Sequence, residues 1–338
     1  MERPIYLGGD ALTLTDKAQG FYSLVRNDDW YLGTPKYQDV IITKLSPQMT
    51  SQEIFKGNVD VASIPYNLVD LYKENGVKVI SAPSNHPIRM IFERSSYFSS
   101  VNARQAIAYA LDKTTLSELS YQGHAAVARP GLRQDLPSSG LNSYEYNPEK
   151  AANLLMAQGW EKSKSGQWLD HKGETITLSL VASTDYLLVS KVLAKQLESF
   201  GFSVDVRLLP AVPFLNTLSK KQYDLALVSQ SHQGNIDRFR LMLTGNQGRG
   251  DQYFENKSLP LLFKKIDQST DTVEINLTFA DIEKIYNSEL PSLPLINPIN
   301  YSALSDRVEA GFTKNGVAMG IPMVLNKTTV FFEKSPNE

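Results

Sequence analysis

The 338 residues include no cysteine, which excludes disulfides, zinc–thiolate sites and cysteine nucleophiles from this sequence. No run reaches the ~18 consecutive apolar residues of a membrane-spanning helix. Neither sign of charge dominates: 34 Lys and Arg against 36 Asp and Glu give a formal net charge of −2. The charges are interspersed without a basic stripe, so nucleic acid finds no electrostatic footing. The 4 histidines stand at 86, 124, 171 and 232, and no two are three or four residues apart. HExxH and comparable ligand spacings are missing, so neither a metal centre nor a resident cofactor is expected. Enzyme motifs are missing as well: there is no G-x-S-x-G, phosphate loop or G-x-G-x-x-G. Gly245, Gly248 and Gly250 have the wrong spacing, and Arg249-Gly250-Asp251 reads as a charged surface loop. The opening MERPIYLGGD has neither the basic start nor the apolar run of a signal peptide. Two readings follow: a targeting segment has been removed, or the chain stays in the cytoplasm.

With 42% hydrophobic residues, the chain has material for two buried cores. The clearest pattern lies between Glu174 and Ser229. Thr175–Val181 alternates polar residues with Ile176, Leu178 and Leu180, as a strand does. A helix then begins at Asp185, carries Val189, Val192, Leu193 and Leu197, and ends at Gly201. Phe202–Leu209 is a second strand, Phe214–Ser219 a short helix, and the segment from Tyr223 a buried strand. Strands and helices that alternate through short links imply a parallel sheet with right-handed crossovers. A similar unit is expected earlier, with strands at Asp39–Leu45, Val59–Ile64 and Val77–Ser81 and helices at Ser51–Lys56 and Asn67–Glu74.

Two helices carry the most specific signal. In VNARQAIAYALDK, Ser99 and Ser100 can cap a helix with Ile107, Ala108 and Leu111 on its apolar face. In YEYNPEKAANLLMAQGW, Asn147 suits the N-cap, Pro148 the first turn, and Glu149 the positive end of the dipole. Gly159 suits the left-handed stop, which lets Trp160 fold back on Leu155. These segments, in this order around Pro130-Gly131-Leu132, resemble the extracytoplasmic solute-binding proteins of family 5, which serve oligopeptide, dipeptide and nickel ABC importers. GFYSLVRNDDWYLGTPKYQDVII and FKGNVDVASIP extend the likeness, although Phe21 and Arg94 stand where the family usually has proline and asparagine.

The resemblance implies an α/β, periplasmic-binding-protein-like (type II) fold. It has two lobes with mostly parallel sheets, joined by two hinge crossings at Pro87–Glu93 and Leu293–Ser305. Residues 1–93 and 293–338 would form one lobe, incomplete relative to the family because the usual N-terminal segment is missing. Residues 94–292 would form the ligand-binding lobe. The implied role is non-catalytic capture of a small polar solute, short peptide or metal chelate, handed to an ABC importer permease. The chain would then be periplasmic or extracellular, held at the membrane only by an anchor or by docking. The alternative is the ligand-sensing domain of a cytoplasmic transcription regulator.

In open α/β sheets, ligands lie beyond the carboxyl ends of the strands. That rule points to Ser183 and Thr184 after one strand, and to Gln230, Ser231, His232, Gln233 and Asn235 after another. Peptide-binding relatives often carry tryptophan and aspartate where this sequence has Gln230 and Gln233. An amide hydrogen-bonds but cannot supply the charge-assisted bond of a carboxylate. Asn297 and Asn300 on the return crossing complete the candidate set, which is composed of neutral donors and acceptors apart from the histidine.

Overall fold

The computed structural model describes residues 12–31, 34–35, 37–95, 97–134, 136–229, 235–244 and 254–308. The described chain divides into two compact units, one formed by residues up to Ser84 together with those from Ile299, the other by Asn85–Pro298.

In the first unit, β1 (Leu12–Ala18), β2 (Phe21–Arg26) and β3 (Asp39–Thr43) form an antiparallel meander. Gly20, with φ 78°, makes the turn between the first two strands. The 39–45 strand expected to open an alternating strand–helix unit therefore belongs to a different sheet. Its cross-strand partners are Tyr22 and Leu24, opposite Ile42 and Val40. The alternation proper begins with α1 (Pro47–Phe55), capped by Ser46, whose hydroxyl accepts from Met49 N at 3.3 Å. It continues through β4 (Val61–Ile64), α2 (Val69–Glu74) and β5 (Lys78–Pro83). Ile54, Ile64, Val69 and Tyr72 make the small core under these elements.

The second unit opens with β6 (Ile88–Phe92), α3 (Val101–Ala110), α4 (Lys113–Tyr121) and β7 (Ala125–Val127). Then come α5 (Pro148–Met156) and a hairpin of β8 (Glu161–Lys162) and β9 (Trp168–Leu169). The alternating segment is β10 (Thr177–Ser183), α6 (Leu187–Phe200), β11 (Ser203–Leu209), α7 (Ala211–Ser219) and β12 (Leu225–Ser229). Three helices follow, α8 (Ile236–Thr244), α9 (Ser258–Gln268) and α10 (Thr272–Glu289), before β13 (Ser292–Leu304) carries the chain back into the first unit. There β13 pairs antiparallel with both β4 and β5.

The sheet of the second unit runs β11-β10-β12-β6-β13, with β10 parallel to β11 and β12, and β6 antiparallel to β12 and β13. β6 and the start of β13 are thus ladder members of this unit, so the divisions fall at 84/85 and 298/299 instead of 93/94 and 292/293. Leu178 and Leu180 of β10 are fully buried against Leu193 and Leu197 of α6. Burying each such leucine contributes on the order of 2 kcal/mol. The helix ends follow their local chemistry. Ser100 accepts from Asn102 N at 3.1 Å, and Asn147 accepts from Lys150 N at 2.9 Å. Gly159 takes φ 82°, and Trp160 N bonds back to Leu155 O at 3.2 Å with its ring in the main core.

A second, smaller core joins α8, α9 and α10 through Phe239, Phe263 and Phe279. The loop carrying Pro130-Gly131-Leu132 is pinned beside it. Arg129 grips Glu283 of α10 through two parallel bonds of 2.7 and 2.6 Å, and both side chains are almost fully buried. Glu283 also accepts from Arg133 N at 3.0 Å. From β6, the buried Arg89 donates to Leu132 O at 2.7 Å and to the Tyr286 hydroxyl at 2.9 Å. Glycine is required at 131 because a Cβ there would fall on the Arg129 guanidinium and 2.6 Å from Glu283 Oε1.

Candidate functional site

Strand direction decides which residues of the second unit share an edge. β10 and β12 both end at Ser183 and Ser229 on the carboxyl side. Because β6 runs the other way, its first residue, Ile88, lies opposite Ser229. Ile296 of β13 lies opposite the same Ile88, which brings Asn297 to that edge. The sheet therefore brings Ser183 with Thr184, Ser229, which precedes Gln230 in the sequence, and Asn297 along one border. Asn300 lies three residues farther along β13, opposite Ala82 of β5 in the first unit, and its side chain is exposed.

The side chains differ in how free they are. Ser183 is half-buried and caps the 3-10 turn Thr184–Tyr186, accepting from Asp185 N at 3.4 Å. Its hydroxyl also donates to Asp185 Oδ2 at 3.3 Å, so N-capping is the role its geometry displays. Thr184 is exposed. Asn235 caps α8, accepting from Arg238 N at 3.0 Å. Asn297 is buried, and its Nδ2 donates to Gln134 Oε1 at 2.9 Å. Its Oδ1 has no hydrogen-bond partner among the described residues. Gln134 is itself fixed, since it accepts from Arg129 N at 2.9 Å and donates to Arg129 O at 3.2 Å. Gln230, Ser231, His232 and Gln233 lie outside the described residues.

Two neighbours of Ser229, His86 and Tyr186, are not among the candidates the sequence offers. The Ser229 hydroxyl donates to His86 O at 3.3 Å, and Ser229 also hydrogen-bonds the Tyr186 phenol. Burial raises the Tyr186 phenol above its ordinary value against the opposing effect of that bond, so it stays a neutral donor at physiological pH. Desolvation holds the His86 imidazole below its ordinary value, which favours the neutral ring. Tyr186 stands two residues past Thr184, and His86 just before the Pro87 crossing. Both follow from the carboxyl-edge rule once β6 is known to be antiparallel. The edge offers the Ser229 and Tyr186 hydroxyls and the Asn297 amide, which suits reversible hydrogen bonding to a polar solute. Among the described residues there is no cluster of three or more metal-ligating side chains. No described helix is long and apolar enough to cross a membrane.

Comparison with known proteins agrees with this architecture. The sequence profile of the bacterial extracellular solute-binding proteins, family 5 (middle region), matches residues 12–251. The oligopeptide-binding protein AppA of Bacillus subtilis is 21% identical over 321 residues, which cover 90% of this chain and 59% of AppA. The substrate-binding protein CtaP of Listeria monocytogenes superposes with a TM-score of 0.77 at 20% identity, covering 93% of this chain and 65% of CtaP. NikZ of Campylobacter jejuni, solved in complex with Ni(L-His), gives a TM-score of 0.73 at 19% identity, with coverages of 96% and 68%. The chain thus spans about three fifths of the length of AppA. The shared fold is α/β and periplasmic-binding-protein-like (type II). The profile match covers well over half of the sequence, and the chain belongs to family 5 of the bacterial extracellular solute-binding proteins.

Proposed function

We propose that this chain takes part in non-catalytic capture of a polar solute outside the cytoplasm, for delivery to an ABC importer permease. The observation that carries the reading is the carboxyl edge of the second unit's sheet, in a chain that belongs to a solute-binding family. There the Ser229 hydroxyl bonds His86 O and the Tyr186 phenol, and Ser229 directly precedes Gln230–Gln233 in the sequence. A ligand held by such groups is polar and gains no single charged anchor from this edge. Short peptides and metal–histidine chelates are the two solute classes to try, because AppA is named for oligopeptides and NikZ was solved with Ni(L-His). Within the second unit, Ser183, Thr184, Asn235 and Asn297 contribute secondary contacts. The relatives named above are binding or transport proteins, and none of them is named as a transcription regulator.

Native mass spectrometry of protein isolated from its own host identifies a co-purified solute. Isothermal titration with that solute, a short-peptide panel and nickel–histidine then follows, using wild type, Gln233→Ala and Tyr186→Phe. Each lost hydrogen bond removes about 1 kcal/mol, roughly a fivefold loss of affinity. Unchanged affinity in both variants would move the site elsewhere. A blank mass spectrum together with blank titrations would refute the solute-binding reading itself.

A further inference from the structure

The helix layer of the second unit holds an open groove of about 520 Å³ that shares no residue with the carboxyl-edge site. It is lined by residues of α4 and α6 together with Tyr146 and Pro148. Much of its surface is apolar and unpartnered: Leu119 is 63% exposed and Tyr146 56%, beside Val192 and Phe200. The volume is that of a small-molecule cleft.

The polar groups decide what fits. Asp112 is the acid of the lining, and its carboxylate is committed to capping α4. It accepts from Thr114 N at 3.0 Å, Thr115 N at 3.1 Å and the Thr115 hydroxyl at 2.7 Å. Asp112 N donates to Gln196 Oε1 at 2.9 Å, while Gln196 Nε2 donates to Asp112 O at 3.0 Å. This two-way clamp fixes α4 against α6 and uses up the amide. Ser199 donates to its own helix at Lys195 O, 2.8 Å away. Lys191 and Lys195 remain, exposed, one turn apart on α6 and lining the groove, and neither is in an ion pair among the described residues. Two uncompensated ammonium groups beside a preformed apolar trough call for an apolar body with a negative end.

We propose that this groove binds a small amphiphilic anion. Its tail lies on Leu119, Tyr146 and Val192, and its carboxylate sits between Lys191 and Lys195.

The test titrates the full chain with sodium decanoate by isothermal calorimetry, with decanol as the uncharged probe. Saturable binding of decanoate, weaker binding of decanol, and a decanoate affinity that falls with added salt are the expected results. Lys191→Gln/Lys195→Gln lowers the decanoate association constant about tenfold, the sum of two partly exposed ion pairs, with an unchanged circular dichroism spectrum. Amide shifts on titration cluster on α4 and α6. Equal affinity for decanoate and decanol, full affinity in the double variant, shifts centred on the carboxyl edge, or no binding would each overturn the proposal.

Discussion

Replacing Gly131 by alanine places a methyl group where the Arg129 guanidinium already sits, 2.6 Å from Glu283 Oε1. Neither neighbour gives way freely. Arg129 is held by Glu283 at 2.7 and 2.6 Å and by Arg133 O at 2.7 Å, and Glu283 is further fixed by Arg133 N at 3.0 Å. Displacing the guanidinium sacrifices at least one charge-assisted bond, about 1.5–3 kcal/mol. Full separation of a buried pair costs about 3–5 kcal/mol, because each charge is left uncompensated. The expected loss for Gly131→Ala is therefore about 3 kcal/mol, a large share of the ~5–15 kcal/mol of a typical domain. Urea unfolding followed by tryptophan fluorescence reads it, since Trp160 and Trp168 lie in the core of this unit. With an m-value of about 3 kcal/mol/M, the midpoint falls by about 1 M. In a Glu283→Ala background Arg129 keeps only its bonds to the Arg133 and Pro137 carbonyls, so the added methyl costs less than in wild type, which gives a coupling measurable in a double-mutant cycle. A Gly131→Ala protein within about 0.5 kcal/mol of wild type, or an equal cost in both backgrounds, would refute the argument.

Burial pushes the Lys113 ammonium down to about 8 from its ordinary 10.5, with Nζ donating to Ser143 O at 2.6 Å. Between those values the unfolded chain holds a proton that the folded chain has released, so stability rises with pH across that window. Lys113→Met should flatten the rise in urea midpoints between pH about 8 and 10, and an unaltered slope would assign it to another group. The window closes near 10, where burial-raised Tyr144, at about 12, begins to act in the opposite sense. Two helix-end glycines should differ in sensitivity. Gly159→Ala meets open space and costs about 1 kcal/mol for its φ of 82°. Gly201→Ala also drives its methyl into the Gly166 carbonyl and should unfold at clearly lower urea; equal midpoints would show that the β8–β9 hairpin yields.

The sequence by itself determined what a few adjacent residues can encode. Asn147, Pro148, Gly159 and Gly201 set helix limits, and the alternation of Ile176, Leu178 and Leu180 set a strand and its buried face, because capping, φ preference and side-chain period act within one or two turns. The parallel run β10–α6–β11–α7–β12 was legible for the same reason: its links are short and its crossovers have one hand. Strand partnership across long separations was decided only by the tertiary structure. Nothing local to 39–43 says that it completes a meander with β1 and β2, and nothing in 88–92 says that it lies antiparallel between β12 and β13. The same holds for the candidate site. The carboxyl-edge rule pointed to Ser183 and to residues 230–235 from sequence, of which 230–234 lie outside the described residues. The Tyr186–Ser229–His86 contact needed the β6–β12 register, and the commitment of Asn297 to Gln134 needed a loop fixed by Arg129 and Glu283. A side chain's freedom to meet a ligand depends on which distant partner claims its hydrogen bonds first, and that is settled by packing.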